Sequence, residues 1–147
     1  MRGCMGKFTS TAAASLFLSA SMAFAQNAEP SISLELNRTI QSSEGVCQVV
    51  FFGENGLDQD FEEVTWRLAV FGADGVFRNL LALPLGSLSA GKRRVVQYNL
   101  PSNCADLSEI IVNDVASCII ADGGSDESDV CLSKLIVTSR TDIAFGL

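Results

Sequence analysis

Short segments of alternating apolar and polar residues recur along the chain, each bounded by turn-forming residues. Residues 31–37 alternate strictly, with Ile32, Leu34 and Leu36 on one face. Residues 64–71 alternate in the same way, and the sequence Gly-Ala-Asp-Gly at 72–75 follows them. A period of two places successive side chains on opposite faces of a strand. The alternation therefore predicts half-buried strands of an all-β protein.

Seven strands are predicted in all, at residues 31–37, 46–52, 64–71, 76–83, 94–100, 110–115 and 132–138, and the second of them is almost continuously apolar. The fourth is expected to return beside the third as a hairpin, because the glycines at 72–75 permit a tight turn. Helical spacing is limited to residues 105–113, whose first part can form a single turn. About seven strands separated by short turns predict an immunoglobulin-like Greek-key β-sandwich.

The core of this sandwich is expected to contain the inward residues of the third and fifth strands. Trp66, Leu68 and Val70 share one face of the third strand, and Tyr98 lies on the inward face of the fifth. Immunoglobulin-like sandwiches often bury an aromatic residue on the third strand. Trp66 is therefore expected in the core, and the alternative is an exposed Trp66 that anchors a partner.

An export signal is predicted at residues 1–25. Arg2 and Lys7 precede a small and apolar run over 11–24, and Ala23-Phe24-Ala25 closes it with the small-x-small pattern that signal peptidase cleaves. Cleavage is expected after Ala25, followed by a linker at 26–30, the domain at 31–142 and a tail at 143–147. An N-terminal membrane anchor is the alternative, but a bilayer requires a run of roughly 20 apolar residues. The product is expected in the periplasm or secreted, without stable membrane insertion.

Cysteine usage agrees with an oxidising compartment. Cys4 lies in the predicted leader, which leaves Cys47, Cys104, Cys118 and Cys131, an even number that predicts two disulfides. In a seven-strand Greek key, the second and sixth strands start at the same end of the sandwich. This order favours pairing Cys47 with Cys104 and Cys118 with Cys131. A four-thiolate zinc site is the competing interpretation, although such sites usually contain two closely spaced pairs.

Composition excludes several kinds of site. The chain has no His, and its three Met lie in the predicted leader, so His-dependent catalysis and His- or Met-based metal sites are impossible in the mature chain. The chain carries 10 basic and 17 acidic residues. This negative charge excludes nucleic acid as an expected partner and disfavours anionic lipid. No cofactor is expected.

Two acidic loops offer the remaining candidate chemistry. Asp122, Asp126 and Asp129 lie in a loop with two glycines, and carboxylates on such a loop can bind Ca²⁺, although their order is not that of an EF-hand. A second acidic cluster occupies residues 54–63. Solvated loops that keep an exported domain soluble are the simpler explanation of both. A carboxylate-based hydrolase would need two acids across a cleft, which the sequence does not indicate.

The chain contains an ordered set of motifs: Gly45-Val-Cys47, Phe-Gly-Ala-Asp-Gly at 71–75, Leu-Gly-Ser-Leu-Ser-Ala-Gly at 85–91, Leu-Pro-Ser-Asn-Cys at 100–104, Ile-Val-Asn-Asp-Val-Ala-Ser-Cys at 111–118 and Ser-Arg-Thr-Asp at 139–142. In these motifs, which extend over nearly all of residues 31–142, the chain resembles a family of uncharacterised exported bacterial proteins. The resemblance implies a signal peptide and an immunoglobulin-like or similar sandwich. It implies no activity, ligand or functional residue.

The expected function is that of a non-enzymatic β-sandwich module of the cell envelope, protein-binding or structural, with an unknown protein partner. Contact surfaces are expected at the edge strands 76–83 or 31–37, or at the loops around Asp58 and Asp126. The basic cluster at 92–94 is expected to protect the edge of the fifth strand, with docking of an acidic partner as the alternative. A calcium-stabilised module and a carboxylate-based hydrolase are the other hypotheses.

Overall fold

The computed structural model describes residues 29–147. The predicted signal peptide and residues 26–28 of the predicted linker lie outside the described residues. A 3-10 turn occupies Cys104–Asp106, and a short helix, α1, spans Ser128–Ser133. Within the described range the chain forms eight strands: β1 Ile32–Gln41, β2 Cys47–Asn55, β3 Phe61–Gly72, β4 Phe77–Leu88, β5 Arg93–Leu100, β6 Leu107–Ile120, β7 Leu135–Ser139 and β8 Ala144–Gly146.

The strands form two four-stranded sheets with the core between them. The first sheet has the order β5-β2-β1-β7, and the second has the order β4-β3-β6-β8. Strands β1 and β2 form an antiparallel hairpin, as do β3 and β4, and β3 pairs on its other side with β6. The prediction of an all-β fold with two packed sheets is therefore confirmed.

The third strand contributes its apolar face to the core, as its alternation predicts. Trp66 and Leu68 are fully buried, and Val70 is nearly so. The predicted hairpin after this strand is present, and its turn includes Gly75 at φ 73°. Glycine adopts this left-handed conformation without the steric cost that a side chain would add. Tyr98, also expected in the core, is only partly buried, because β5 is the edge strand of its sheet.

Helix α1 covers one end of the sandwich and is held to the second sheet in two ways. Its Cys131 forms a disulfide with Cys118 on β6. The indole Nε1–H of Trp66 donates a hydrogen bond to the carbonyl oxygen of Cys131 at 3.1 Å. Because the indole is buried, this bond satisfies a donor that would otherwise be costly to remove from water. Trp66 is thus a core residue, and the exposed-anchor alternative is wrong.

The second disulfide joins Cys47 at the start of β2 to Cys104 in the 3-10 turn before β6. Together the two bonds form the pairs that the strand order favours, and the four-thiolate zinc interpretation is wrong. Cys104 comes just before β6 begins at Leu107, whereas Cys118 lies near the other end of the same strand, which finishes at Ile120. The bonds therefore lie near opposite ends of the sandwich.

The end of the chain differs from the seven-strand plan. The expected strand at 132–138 is divided, because residues up to Ser133 belong to α1 and β7 begins at Leu135. Strand β7 does not return beside β6. It crosses to the other sheet and pairs in parallel with β1, after which β8 pairs in parallel with β6. The expected tail at 143–147 is part of the sandwich, because Ile143 is buried and Phe145 packs against the core.

Strand order also decides which segments are edges. The segment 31–37, one of the expected contact edges, belongs to β1, which lies between β2 and β7 and is covered on both sides. That expectation is wrong, because the parallel pairing with β7 occupies the free side of β1. Strands β4 and β5 are edges of their sheets, on the same side of the sandwich. The expected edge at 76–83 is therefore present in β4.

A fully buried Asn55 organises the loop after β2. Its amide Nδ2 donates to the carbonyl oxygens of Gln59 at 2.8 Å and Leu88 at 2.9 Å, and its Oδ1 accepts the Leu57 N–H at 3.0 Å. The side chain thus joins the β2–β3 loop to the end of β4. This hydrogen bonding explains why a polar residue is tolerated in the core.

Candidate functional site

The first half of β4 combines an unpaired backbone edge with exposed apolar side chains. Phe77 and Leu80 are 50% and 53% exposed, and Val76 in the preceding turn is 53% exposed. Strand β4 pairs with β3 on one side only. An exposed apolar edge is a site where another chain can pair, and native proteins usually protect it with charge. This segment, residues 76–82, is named the β4 edge below.

The other long edge strand begins with a cluster of basic residues, whereas the charge of the β4 edge is that of Arg78, which is paired with Asp74. Strand β5 begins with Arg93 and Arg94, which follow Lys92 in the turn between β4 and β5. Arg94 also donates from Nε to the carbonyl oxygen of Ser87 at 3.2 Å, which joins the ends of β4 and β5. The basic cluster therefore lies at one end of an edge strand.

Apolar side chains extend from the β4 edge across the outer face of the second sheet. Leu80 lies opposite Ala69, and Phe77 lies opposite Phe71, with ring centroids 6.1 Å apart in an edge-to-face arrangement. Ile111 on β6 continues the row, because it lies opposite Ala69 on the other side of β3. The β4 edge is thus the border of an apolar surface.

A cleft of about 560 Å³ opens between the β4 edge and the end of β5. Its apolar lining comes from Val70, Leu100 and Leu107. Strands β4 and β5 are joined at residues 89–92 but belong to different sheets, and the cleft lies where β4 begins and β5 ends. Arg78 and Asn79 of the β4 edge also line the opening. We name it the β4–β5 cleft.

The rim of the cleft carries two acidic residues. Asp74 accepts hydrogen bonds from the Val76 N–H at 3.0 Å and from Arg78 Nη2 at 2.9 Å. The Val76 hydrogen bond and the Arg78 charge hold the pKa of Asp74 below its ordinary value. Asp106 accepts a hydrogen bond from Asn103 Nδ2 at 3.0 Å and is exposed. Asp74 and Arg78 neutralise each other, so Asp106 leaves this rim with a negative charge.

The wall of the cleft around residues 101–107 is held in place by covalent and hydrogen bonds. The Cys47–Cys104 disulfide attaches it to the first sheet, and the Cys104 N–H donates to Gln41 Oε1 at 2.7 Å. The Ala73 N–H donates to the carbonyl oxygen of Asp106 at 2.8 Å. These contacts join the turns on the two sides of the cleft. A binding surface that is ordered in advance loses little conformational entropy when a ligand binds.

The acidic loop residues proposed for calcium have other surroundings. Asp126 Oδ1 accepts a hydrogen bond of 2.9 Å from the N–H of Ser128, the first residue of α1. Hydrogen bonds from Ser128 lower the pKa of Asp126. Asp129 lies within α1, and Asp122 lines a separate small recess together with Asp58. Within residues 29–147, no group of three or more Cys or acidic residues is arranged to hold a metal ion.

Only part of this site follows from the sequence. The pattern identifies 76–83 as a possible contact edge, and the exposed residues of β4 lie there. The cleft was missed, because Leu100 and Leu107 are ordinary apolar residues of two strands. The loop at 101–106 between them contains Pro101 and predicts a turn, but no sequence signal reveals the opening.

Comparison with known proteins gives one structural likeness. No protein-family model matches the chain, and no curated protein matches it significantly. Among solved structures, the chain is similar to IrmA from Escherichia coli, with a TM-score of 0.54 and 15% sequence identity over 74% of this chain and 92% of that chain. At this identity the likeness concerns the fold alone. The resemblance to a family of exported bacterial proteins is therefore not confirmed.

The two disulfides bear on cellular location. The disulfides are typical of proteins that fold outside the reducing cytoplasm. Neither the 3-10 turn nor α1, the helical segments of residues 29–147, is long and apolar enough to cross a membrane.

Proposed function

We propose that this chain is a non-enzymatic binding module of the bacterial cell envelope, exported by its N-terminal signal peptide, that receives an extended strand of another protein at the β4 edge. The observation that carries the proposal is an edge strand with unpaired backbone, half-exposed Phe77 and Leu80, and an adjoining cleft. In strand addition, backbone hydrogen bonds supply affinity, and recesses for alternate side chains supply specificity. The β4 edge and the β4–β5 cleft offer both.

Charge supports the choice of a polypeptide as partner. The chain has 17 acidic and 10 basic residues, and the charge of the cleft rim has the same sign. A negative surface repels nucleic acid and attracts a segment that carries cationic side chains. The expected occupant is therefore an extended apolar segment of an envelope protein with at least one basic residue.

Three acidic residues are unsuited to the role of a general acid. Hydrogen bonds lower the pKa of Glu35, Asp74 and Asp126, so each carboxyl group is held in its charged form. A carboxylate-based hydrolase needs a general acid with a raised pKa beside a second carboxylate. Hydrogen bonds that stabilise the charged form favour the opposite state.

The proposal includes an immunoglobulin-like strand topology for the sandwich. Strands β1, β2 and β5 share one sheet, and β3 and β6 share the other. This is the distribution of the A, B, E strands and the C, F strands in immunoglobulin-type folds. On this assignment β4 occupies the C′ position beside β3, and β7 and β8 divide the role of the last strand.

Site-specific photocross-linking in intact cells of the source bacterium tests the strand-acceptor function. A photoreactive residue replaces Leu80, and in a control it replaces Val95, which is 61% exposed on the β5 edge. We expect one envelope protein to be linked at position 80 through a single extended segment, with little product at position 95. The double substitution F77K/N79K should remove the product, because two charges at the edge oppose pairing.

Other outcomes would overturn the proposal. Equal products at positions 80 and 95, or a product that survives F77K/N79K, would place the contact elsewhere. A product formed only between two copies of this chain would replace a partner protein with self-association. The melting temperature of each variant, measured by circular dichroism, verifies that the fold is retained.

A further inference from the structure

We propose that the β4–β5 cleft selects a lysine or arginine side chain from the strand that binds the β4 edge. This inference rests on the proposed function and names the chemistry of its ligand. It starts from the position of the cleft, which opens directly beside Arg78 and Asn79 of the β4 edge. A strand added along β4 would turn alternate side chains toward this opening, because successive side chains of a strand point to opposite faces.

The cleft combines an apolar interior with a negative rim. Val70, Leu100 and Leu107 line it, and all three are almost completely buried, at 2%, 4% and 6% exposure. Asp106 lies at the rim. Lysine and arginine have the matching form, since their aliphatic stems pack against apolar surface while the charged ends stay at the water-accessible side. An aliphatic side chain would fill the interior but leave Asp106 without a partner.

The other charges at the rim do not oppose this assignment. Arg78 would repel an incoming cation if it were free, but its guanidinium lies 2.9 Å from Asp74 Oδ2. The Asp106 carboxylate has only the neutral amide of Asn103 as its hydrogen-bonded side-chain partner among the described residues. One uncompensated negative charge therefore remains beside the apolar lining. A single cationic side chain complements it.

The volume and rigidity of the cleft are also suitable. The space of about 560 Å³ is larger than one long side chain requires, so a lysine or arginine can enter together with water. The Cys47–Cys104 disulfide and the hydrogen bond from the Ala73 N–H to the Asp106 carbonyl oxygen hold the acidic wall against the hairpin turn. Asp106 is therefore positioned before a strand arrives.

Three synthetic peptides test the selection. They have the sequence acetyl-Thr-Val-Thr-X-Thr-Val-Thr-amide, in which X is lysine, norleucine or glutamate. Each is titrated into the ¹⁵N-labelled protein, and amide shifts in the NMR spectrum report both the Kd and the location. We expect shifts along β4 with the lysine peptide, and a Kd about three- to fivefold lower than for the norleucine peptide, as for a partly exposed ion pair. Glutamate should bind more weakly than norleucine.

Two protein variants identify the responsible charge. In D106N the asparagine keeps an oxygen that can accept the Asn103 hydrogen bond, so the turn is retained while the charge is lost. We expect D106N to remove the preference for lysine over norleucine, and 0.5 M NaCl to reduce it in the wild-type protein. The matched control D129N removes the same charge from α1, on a different face, and should leave the preference unchanged.

The possible failures are distinguishable. If all three peptides shift β4 amides with the same Kd, strand binding stands and selection of a cation is wrong. The same conclusion follows if D129N abolishes the preference as fully as D106N, because the effect would then be that of net charge. If no peptide shifts the β4 amides at millimolar concentration, strand binding at the β4 edge is wrong, and this inference falls with it.

Discussion

Removing each disulfide separately should destabilise the protein to a different and calculable extent. The Cys47–Cys104 bond closes a loop with a sequence separation of 57, and the Cys118–Cys131 bond closes one of 13. A cross-link restricts the unfolded chain, and the entropy removed grows with the logarithm of the loop length. The double variant C47A/C104A should therefore lose more stability than C118A/C131A.

The loop lengths set the expected magnitudes. Chain entropy gives about 4 kcal/mol for the longer loop and about 3 kcal/mol for the shorter one. With an unfolding entropy of about 2.1 cal/mol/K per residue, a domain of roughly 120 residues gains about 0.25 kcal/mol/K on unfolding. The two variants should therefore melt about 16 °C and about 12 °C below the wild-type protein.

The burial of the cysteines predicts the opposite order of stability loss for the two variants. Their relative stability therefore distinguishes loss of packing from loss of loop closure. Cys118 and Cys131 are both fully buried, whereas Cys104 is partly exposed. Deleting two buried sulfur atoms should cost more than deleting one buried and one partly exposed sulfur atom. If packing loss dominated over loop closure, C118A/C131A would be the less stable variant.

Calorimetry and guanidinium unfolding measure both effects. Calorimetry gives the melting temperatures, and the denaturant slope m should increase in both variants, because an unlinked unfolded chain exposes more surface. The increase should be larger for C47A/C104A. A lower melting temperature for C118A/C131A than for C47A/C104A would refute the loop-entropy argument, and so would unchanged m values in both variants.

Three further predictions concern single contacts. N55A should lower the unfolding free energy by about 2–3 kcal/mol in guanidinium unfolding, because it leaves the buried Leu88 carbonyl group and the partly buried Gln59 carbonyl and Leu57 N–H groups without their partner. Trp66→Phe should cost about 1–3 kcal/mol, followed by far-UV circular dichroism, because it removes the hydrogen bond to α1 and some core volume. Hydrogen bonds from Asn37 and Arg140 lower the pKa of Glu35 from its ordinary 4.5. The stabilisation by this carboxylate is therefore present above pH 4.5 and lost as the pH falls through the lowered pKa. Arg140→Gln should raise the Glu35 pKa in an NMR titration and lower the melting temperature slightly at pH 7, an effect that should vanish in acid.

Local patterns determined much of the fold. The period-two alternation of β3 predicted that Trp66, Leu68 and Val70 are buried, and the glycine-containing turn predicted the β3–β4 hairpin. The even number of cysteines predicted two disulfides, and strand order along the chain was sufficient to favour their pairing. Each of these features depends on neighbouring residues or on the order of elements, which sequence displays directly.

Tertiary structure alone decided which strands meet when they are distant in the sequence. The parallel pairing of β7 with β1 removed an expected edge, and the packing of Ile143 and Phe145 brought an expected tail into the second sheet. The β4–β5 cleft likewise depends on two edge strands of different sheets lying on one side of the sandwich. Pairings between distant strands depend on how whole faces are buried against one another, and the spacing of residues within a single strand carries no information about its neighbour.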